Sequence, residues 1–177
     1  MRLFIAVNFS DEIKNRLLKI QEQLRAQALK GSFTRLENFH LTLAFLGETP
    51  EEKLGTLSRI MEEIESPPFE IVFNRTGCFT HSRKELWWIG ADRPDSPGIS
   101  RLKAIHAQLL CRLEEEGFSV DKRPFNAHIT VGRELKHSIP IVLDAPEIAV
   151  RVDRLSLMKS EHIKGVLTYT EIMSRRI

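Results

Sequence analysis

Cysteine and long apolar runs are both scarce in this 177-residue sequence, which has two cysteines, Cys78 and Cys111. They form no CxxC pair and have no companions, which argues against a zinc site or a disulfide framework and for free thiols in a reducing compartment. The apolar segment 3–7 is too short for a signal-peptide core, and no run approaches a membrane span of about 20 residues. We therefore expect a cytoplasmic protein that does not enter a membrane.

An excess of charge of one sign is also missing, because 26 Lys and Arg residues face 24 Asp and Glu residues for a net charge of +2. Dedicated non-specific nucleic-acid binders usually carry a stronger basic bias, so the composition permits an RNA partner without requiring one. Hydrophobic residues make up 42% and charged residues 28% of the chain, as in ordinary globular proteins. The length suits a single domain over residues 1–177.

Hydrophobic periodicity predicts strands and helices in an order where several strands follow one another without a helix between them. The expected strands are 3–7, 34–46, 69–80, 85–91, 148–158 and 166–173, with one more at the second histidine motif. The expected helices run from Ser10 to about Leu29, from Thr49 to the break at Ser66-Pro67-Pro68, and from Ser100 to Glu116. This order favours an antiparallel α+β fold with internal pseudo-symmetry. Segment 92–98, rich in Pro, Asp and Gly, is the predicted mid-chain hinge.

Two short segments repeat one pattern about half the chain apart: HLTL at 40–43 and HITV at 128–131. Because strand side chains alternate between faces, the histidine and threonine of each segment share one face and the apolar residues share the other. Ala44 and Gly132 fall on the histidine face by the same alternation, where small side chains leave room for a ligand. The pattern predicts that a duplicated fold brings both faces together around a small anion.

Imidazole and hydroxyl groups in pairs suit acid–base chemistry on phosphate. With an unperturbed pKa of about 6.5, one of His40 and His128 can be neutral while the other is protonated, so a proton can move at each end of an in-line displacement. Thr42 and Thr130 can donate hydrogen bonds to the phosphate oxygens. No carboxylate–histidine ligand cluster is spaced for a metal, so we expect neither a metal nor a cofactor.

These segments, in the contexts 39–48 and 128–133, resemble the signatures of the 2H phosphoesterases, and specifically the RNA 2′,3′-cyclic phosphodiesterases, also called 2′-5′ RNA ligases. Residues 1–7 and 85–90 fit the same family, so the resemblance covers nearly the whole chain. It implies two pseudo-symmetric α+β lobes around a central cleft. It also implies opening of a terminal RNA 2′,3′-cyclic phosphate to a 2′-phosphate and, in some members, joining of tRNA fragments in reverse. We expect a monomer.

The resemblance also implies roles for the four motif residues. His40 corresponds to the proton donor to the leaving 3′ oxygen, and His128 to the proton acceptor that activates water. Thr42 and Thr130 correspond to the phosphate-holding hydroxyls. Ala127 departs from the pattern, since the family often has proline there.

Arg133 is the best additional candidate, because a guanidinium can pair with phosphate or stack on a base. Strict alternation places it with Ile129 and Val131, away from the histidine face. Arg133 reaches the site only if the strand twists or ends after Gly132.

Two further groups of residues have both a functional and a structural interpretation. Trp87 and Trp88 are a candidate base-stacking platform, although one of two adjacent strand residues must face the core. Four basic residues could contact RNA backbone or form a solvated face: Lys136, Arg151, Arg154 and Lys159.

Three functions remain open from the sequence. The first is an RNA 2′,3′-cyclic phosphodiesterase. The second is a phosphodiesterase for a small cyclic nucleotide, which would use the same chemistry. The third is a non-catalytic module that binds RNA ends, although binding alone would accept asparagine or arginine in place of the two histidines.

Overall fold

Strands dominate the computed structural model, which describes residues 1–82, 84–91, 93 and 95–177. The strands of this described part are β1 Arg2–Asn8, β2 Lys30–Phe33, β3 His40–Glu48, β4 Phe69–Phe73, β5 Arg75–His81, β6 Lys84–Gly90, β7 His128–Lys136, β8 Ile148–Val152, β9 Arg154–Ile163 and β10 Val166–Arg176. The α-helices are α1 Asp11–Gln27, α2 Leu54–Glu62 and α3 Pro97–Glu115. Short 3₁₀ turns at Leu36–Asn38 and Glu51–Lys53 precede β3 and α2.

The strands form two four-stranded sheets and one two-stranded sheet. The first sheet has the order β10-β9-β1-β3, the second has the order β2-β7-β6-β5, and β4 pairs with β8. Every strand pair among the described residues is antiparallel. Strand β4 leads directly into β5 of the second sheet, and β8 into β9 of the first, so the small sheet connects the two larger ones. The predicted antiparallel α+β class is confirmed.

Serine caps fix the start of the two long helices. The side chain of Ser10 accepts a hydrogen bond from the backbone N–H of Ile13, and Ser96 does the same for Ile99. Helix α3 then passes close to β4. A Cβ on Gly98 would lie 2.0 Å from the carbonyl oxygen of Glu70, so only glycine allows this approach.

The helices pack crosswise. Helix α1 follows β1 of the first sheet but packs against β7 of the second sheet and against β8. Helix α3 follows β6 of the second sheet but packs against β3 of the first sheet and against β4. One continuous apolar cluster, reaching from Leu3 to Leu157, therefore underlies both sheets.

Several predicted boundaries were wrong. The first helix ends at Gln27, and the unpredicted edge strand β2 follows it. The segment expected as one strand over 69–80 divides at Asn74, and that over 148–158 divides at Asp153, because each changes sheets there. In the predicted hinge 92–98, Asp92 and Pro94 lie outside the described residues, and α3 begins at Pro97.

No helix in the described ranges is both long and apolar enough to cross a membrane.

Candidate active site

Both histidine motifs begin a strand of nine residues. His40 is the first residue of β3 and His128 the first of β7. The two strands belong to different sheets, yet their Cα atoms come within 8 Å of one another. Thr42 and Thr130 follow with the same half-buried exposure as the histidines, between buried apolar neighbours. The structure thus brings the four predicted residues to one junction between the sheets.

The two imidazoles are oriented in the same way. Nδ1 of His40 lies 2.7 Å from the carbonyl oxygen of Asn38, and Nδ1 of His128 lies 2.8 Å from that of Asn126. Because a carbonyl only accepts hydrogen bonds, each Nδ1 carries a proton. Nε2 is therefore the nitrogen of each ring that can accept a proton from a substrate or donate one to it. In His40, Nε2 lies 2.9 Å from Oγ1 of Thr42, whose hydroxyl donates to the neutral ring.

Burial and nearby cations favour neutral imidazoles. Burial lowers the pKa of His40 to about 4. The positive charges of Arg133 and Lys14, and that of His128 when it is protonated, lower this pKa further, whereas the hydrogen bond to the Asn38 carbonyl raises it. Burial is also the main cause that lowers the pKa of His128, with a further contribution from Arg133. Both rings are therefore poised to accept a proton in the free protein at pH 7.

The residue two positions before each histidine was missed by the sequence analysis. Asn38 is buried, and its side chain donates to the carbonyl oxygen of Leu167 at 2.9 Å and accepts from the N–H of Tyr169 at 3.2 Å, both in β10. Strand β10 thereby fixes the carbonyl that orients His40. The signal was available, because the repeat extends to Asn-x-His-x-Thr with Asn126 in the second copy.

A β-bulge brings Arg133 to the histidine face. Trp88 pairs with Thr130, but Trp87 pairs with Gly132, so β7 has an extra residue at Val131. The bulge inverts the alternation beyond it, so Arg133 is exposed on the same face as Thr130. The strict-alternation argument against Arg133 was therefore wrong, and its charge acts on both histidines.

The same inversion corrects the prediction for the two small residues. Gly132 is buried on the core side, where an added Cβ would lie 2.9 Å from Leu135 and 3.1 Å from Leu24. Ala44 is also buried, because β3 has an equivalent bulge at Leu43. Neither residue lines the site.

The bulge on β7 is held by side chains from distant segments. Nε2 of Gln21, buried on α1, donates to the carbonyl oxygens of Val131 and Thr34, each at 2.7 Å. The N–H of Thr34 also donates to Val131, and its hydroxyl donates to the Thr130 carbonyl at 2.9 Å. Gln21 and Thr34 are therefore supporting residues that the motif search did not find.

The two bulged strands differ in the side chain that follows the bulge. In β3 this position holds Phe45, which is 61% exposed, whereas in β7 it holds Arg133. One side of the junction thus offers an aromatic ring and the other a guanidinium.

The two tryptophans divide between the faces of β6. Trp87 packs against the core cluster, and its Nε1 donates to Glu85 at 2.9 Å. Trp88 lies opposite Thr130, on the histidine face.

The four predicted basic residues do not form one group. Arg151 and Arg154 line a cavity of about 380 Å³ together with Arg16, whereas Lys159 pairs with Glu161 at 2.8 Å and Lys136 lies near the end of β7. Among the residues described, no cluster of three or more His, Cys, Asp or Glu side chains could hold a metal ion.

Residues 9–163 match the 2′-5′ RNA ligase superfamily. The chain belongs to this family. A relative from Thermotoga maritima named RNA 2′,3′-cyclic phosphodiesterase is 30% identical, with 90% of this chain and 87% of the relative aligned. One of the same name from Archaeoglobus fulgidus is 35% identical over 81% of this chain and 78% of its own. The predicted membership of the 2H phosphoesterases is confirmed.

The family relationship extends to solved structures. The crystal structure of Escherichia coli LigT complexed with 3′-AMP aligns with a TM-score of 0.84 at 27% identity, covering 99% of this chain and 97% of LigT. The two chains therefore share their arrangement of sheets and helices over almost their whole length.

Proposed function

We propose that this protein hydrolyses RNA 2′,3′-cyclic phosphate ends to 2′-phosphomonoesters by a two-histidine, metal-independent mechanism. The observation that carries the proposal is the matched pair of imidazoles at the junction of the two sheets. In each ring a backbone carbonyl holds Nδ1, so that Nε2 is available for proton transfer. Support comes from relatives named RNA 2′,3′-cyclic phosphodiesterase and from LigT, which was crystallised with a nucleotide monophosphate.

In the proposed reaction, water attacks phosphorus in line with the 3′ oxygen. Nε2 of His128 takes a proton from the water as the new P–O bond forms. The bond from phosphorus to the 3′ oxygen breaks, and Nε2 of His40 gives that oxygen a proton. The products are a 2′-phosphate and a 3′-hydroxyl, and solvent exchange restores both rings. Thr42, Thr130 and Arg133 stabilise the charge on the phosphate oxygens.

The pKa of His40 has a consequence for this assignment. At about 4 it leaves the ring neutral in the free protein, whereas a general acid must enter the reaction protonated. A phosphodiester anion bound beside the ring favours its charged form and raises its pKa. We therefore propose that His40 acquires its proton together with the substrate.

The first test follows the product of an RNA oligonucleotide with a 2′,3′-cyclic phosphate end, with and without a chelator. The proposal expects a 2′-phosphate in both reactions, and a loss of rate of at least about 100-fold for both His40→Ala and His128→Ala. Full activity in either variant, or a requirement for the metal, would contradict it. Tight binding without product would instead favour the RNA-end binding module.

A second test assigns the two histidines. A substrate with sulfur in place of the 3′ oxygen releases a thiolate, which needs no proton from an acid. The substitution should restore activity to His40→Ala but not to His128→Ala. Rescue of His128→Ala alone would reverse the two roles.

The proposal extends to the type of substrate and to 2′-5′ RNA ligation. Comparing rates on the oligonucleotide and on a cyclic mononucleotide separates an RNA-end enzyme from one for small cyclic nucleotides. We also propose 2′-5′ joining of RNA ends, including tRNA fragments, when a 5′-hydroxyl replaces water as the nucleophile. His128 then takes the proton of the 5′-hydroxyl as its oxygen bonds to phosphorus, and His40 gives a proton to the departing 3′ oxygen. We propose that a monomer carries out these reactions in the cytoplasm.

A further inference from the structure

We infer that the indole of Trp88 is the surface on which the nucleobase of the terminal nucleotide stacks. This inference rests on the proposed function and identifies how the same site recognises its substrate beyond the phosphate.

The position of Trp88 follows from strand pairing. Trp88 lies directly opposite Thr130, and Gly90 lies directly opposite His128, in the pairing of β6 with β7. Directly opposed residues of antiparallel strands share a face. The indole therefore adjoins the hydroxyl and the imidazole proposed to act on the phosphate, at the distance of a neighbouring strand of about 5 Å.

Two glycines make room for the ring to lie against the sheet. A Cβ on Gly77 would lie 2.2 Å from Cζ2 of Trp88, and one on Gly90 would lie 3.0 Å from Cζ3. The six-membered part of the indole thus extends over Gly77 of the neighbouring strand β5 and over Gly90 of its own strand, β6. Any larger residue at Gly77 would push the ring away from the sheet.

The ring borders open space. Trp88 lines a cavity of about 430 Å³ together with Gly90, Arg75, Phe125 and Asn126. The polar side chains of Arg75 and Asn126 suit the hydrogen-bonding edge of a base. Asn126 also supplies the carbonyl that orients His128, so the cavity and the imidazole share one residue.

A second aromatic ring continues the surface towards His128. The Phe79 centroid lies 5.2 Å from that of Trp88 at 34° between the ring planes, and 5.3 Å from that of His128 in an edge-on contact. Phe79 is 37% exposed. Stacking on such rings tolerates every base, as an enzyme for RNA ends of varied sequence requires.

Packing alone is a poor explanation for the indole. Within the described part of the chain, its Nε1 is buried and has no hydrogen-bond partner, which is uncommon for a buried donor. Trp87, by contrast, packs in the core with its Nε1 bonded to Glu85.

The two tryptophans of the sequence allow a direct test in the full-length protein, because each single variant leaves one tryptophan, which is excited selectively at wavelengths that Tyr169 does not absorb. Adenosine 2′-monophosphate should quench the fluorescence of Trp87→Phe, in which Trp88 is the remaining tryptophan, and inorganic phosphate should not. In Trp88→Phe, where Trp87 remains, adenosine 2′-monophosphate should leave the fluorescence unchanged. Equal responses of the two variants would overturn the inference.

Kinetics provide the second measurement. For wild type and Trp87→Phe, the KM for a cyclic phosphate end that carries a base should be about 10- to 100-fold lower than the KM for an abasic one. Trp88→Leu should lose that preference. Gly77→Ala should also lose it, although it retains Trp88, because the new methyl group displaces the ring. An unchanged preference in both Trp88→Leu and Gly77→Ala would overturn the inference.

The outcomes separate this inference from the proposed function. The fluorescence titration needs no turnover, so quenching without hydrolysis would refute the proposed function and keep the stacking surface. Hydrolysis with no base preference and no quenching would refute the stacking surface and keep the proposed function. Thermal melting of Trp88→Leu identifies a folding defect, and in that case the Trp87→Phe titration decides.

Discussion

Arg133 acts on the two histidines through its charge as well as through any contact with phosphate. The guanidinium disfavours the protonated form of both rings and so contributes to their low pKa values. A mechanism with one acid and one base has a bell-shaped dependence of kcat/KM on pH, and its two limbs report those values in the free enzyme.

We therefore predict that Arg133→Gln shifts the whole profile of kcat/KM towards higher pH, by about half a pH unit, because loss of the cation raises both pKa values. Arg133→Lys keeps the charge and should keep the profile, although it loses the bidentate contact with phosphate and should lower kcat/KM. Rates measured between pH 4 and pH 9 test this. A profile that moves equally in both variants would show that charge is not the cause.

At the level of elements, the alternation of side chains along a strand correctly predicted which face of the sheet each motif residue occupies, up to the bulge in each strand. His40, Thr42, His128 and Thr130 all lie where the pattern placed them, whereas Ala44, Gly132 and Arg133 do not. A trace of each bulge was visible, since Leu43-Ala44 and Val131-Gly132 are successive small or apolar residues that break the alternation.

Other elements were beyond a local pattern. The register of β7 depends on the hydrogen bond from Gln21 to Val131, and these two residues are 110 positions apart in the sequence. A local sequence pattern around β7 therefore does not contain the residue that holds the bulge. Strand β2 is a short, half-exposed edge strand with a glycine and little apolar alternation, and its pairing with β7 is what makes it a strand. The boundaries at Asn74 and Asp153 depend similarly on which sheet each segment joins.

We predict that Gln21→Met weakens both the fold and the site. The carbonyl of Val131 loses a buried donor, which should lower the free energy of unfolding by about 1–3 kcal/mol. Arg133 should then lose its fixed position, with a fall in kcat/KM of about tenfold and little change in the orientation of His128. Urea unfolding and steady-state kinetics measure the two effects.

Gln23→Met is the matched control. Gln23 also lies on α1, and its Nε2 donates an exposed hydrogen bond to the backbone carbonyl oxygen of Asp144. It should leave kcat/KM unchanged. If Gln21→Met and Gln23→Met behave alike in kinetics, the bulge does not depend on Gln21.

For the whole molecule, the crosswise packing of α1 and α3 joins the two sheets into one core. Each half of the chain contains a helix whose apolar face is covered by the other half. A half expressed alone would leave that face and its own sheet uncovered.

We predict that fragments 1–93 and 94–177 are each unfolded or aggregated alone and form an active complex when they are produced together. Circular dichroism and size-exclusion chromatography test the folding, and hydrolysis of the cyclic phosphate end tests the site. A fragment that folds independently would show instead that the two sheets have separate cores.

The contact between Asn38 and β10 links the order of synthesis to the onset of catalysis. His40 belongs to the first quarter of the chain, yet the residue that orients it is fixed by the final strand of the fold. A ribosome-bound or truncated chain without β10 would have both histidines but no fixed ring at position 40. Incomplete copies of the protein would therefore not act on cellular RNA. Activity would begin only after β10 has been synthesised and has paired with β9 and Asn38.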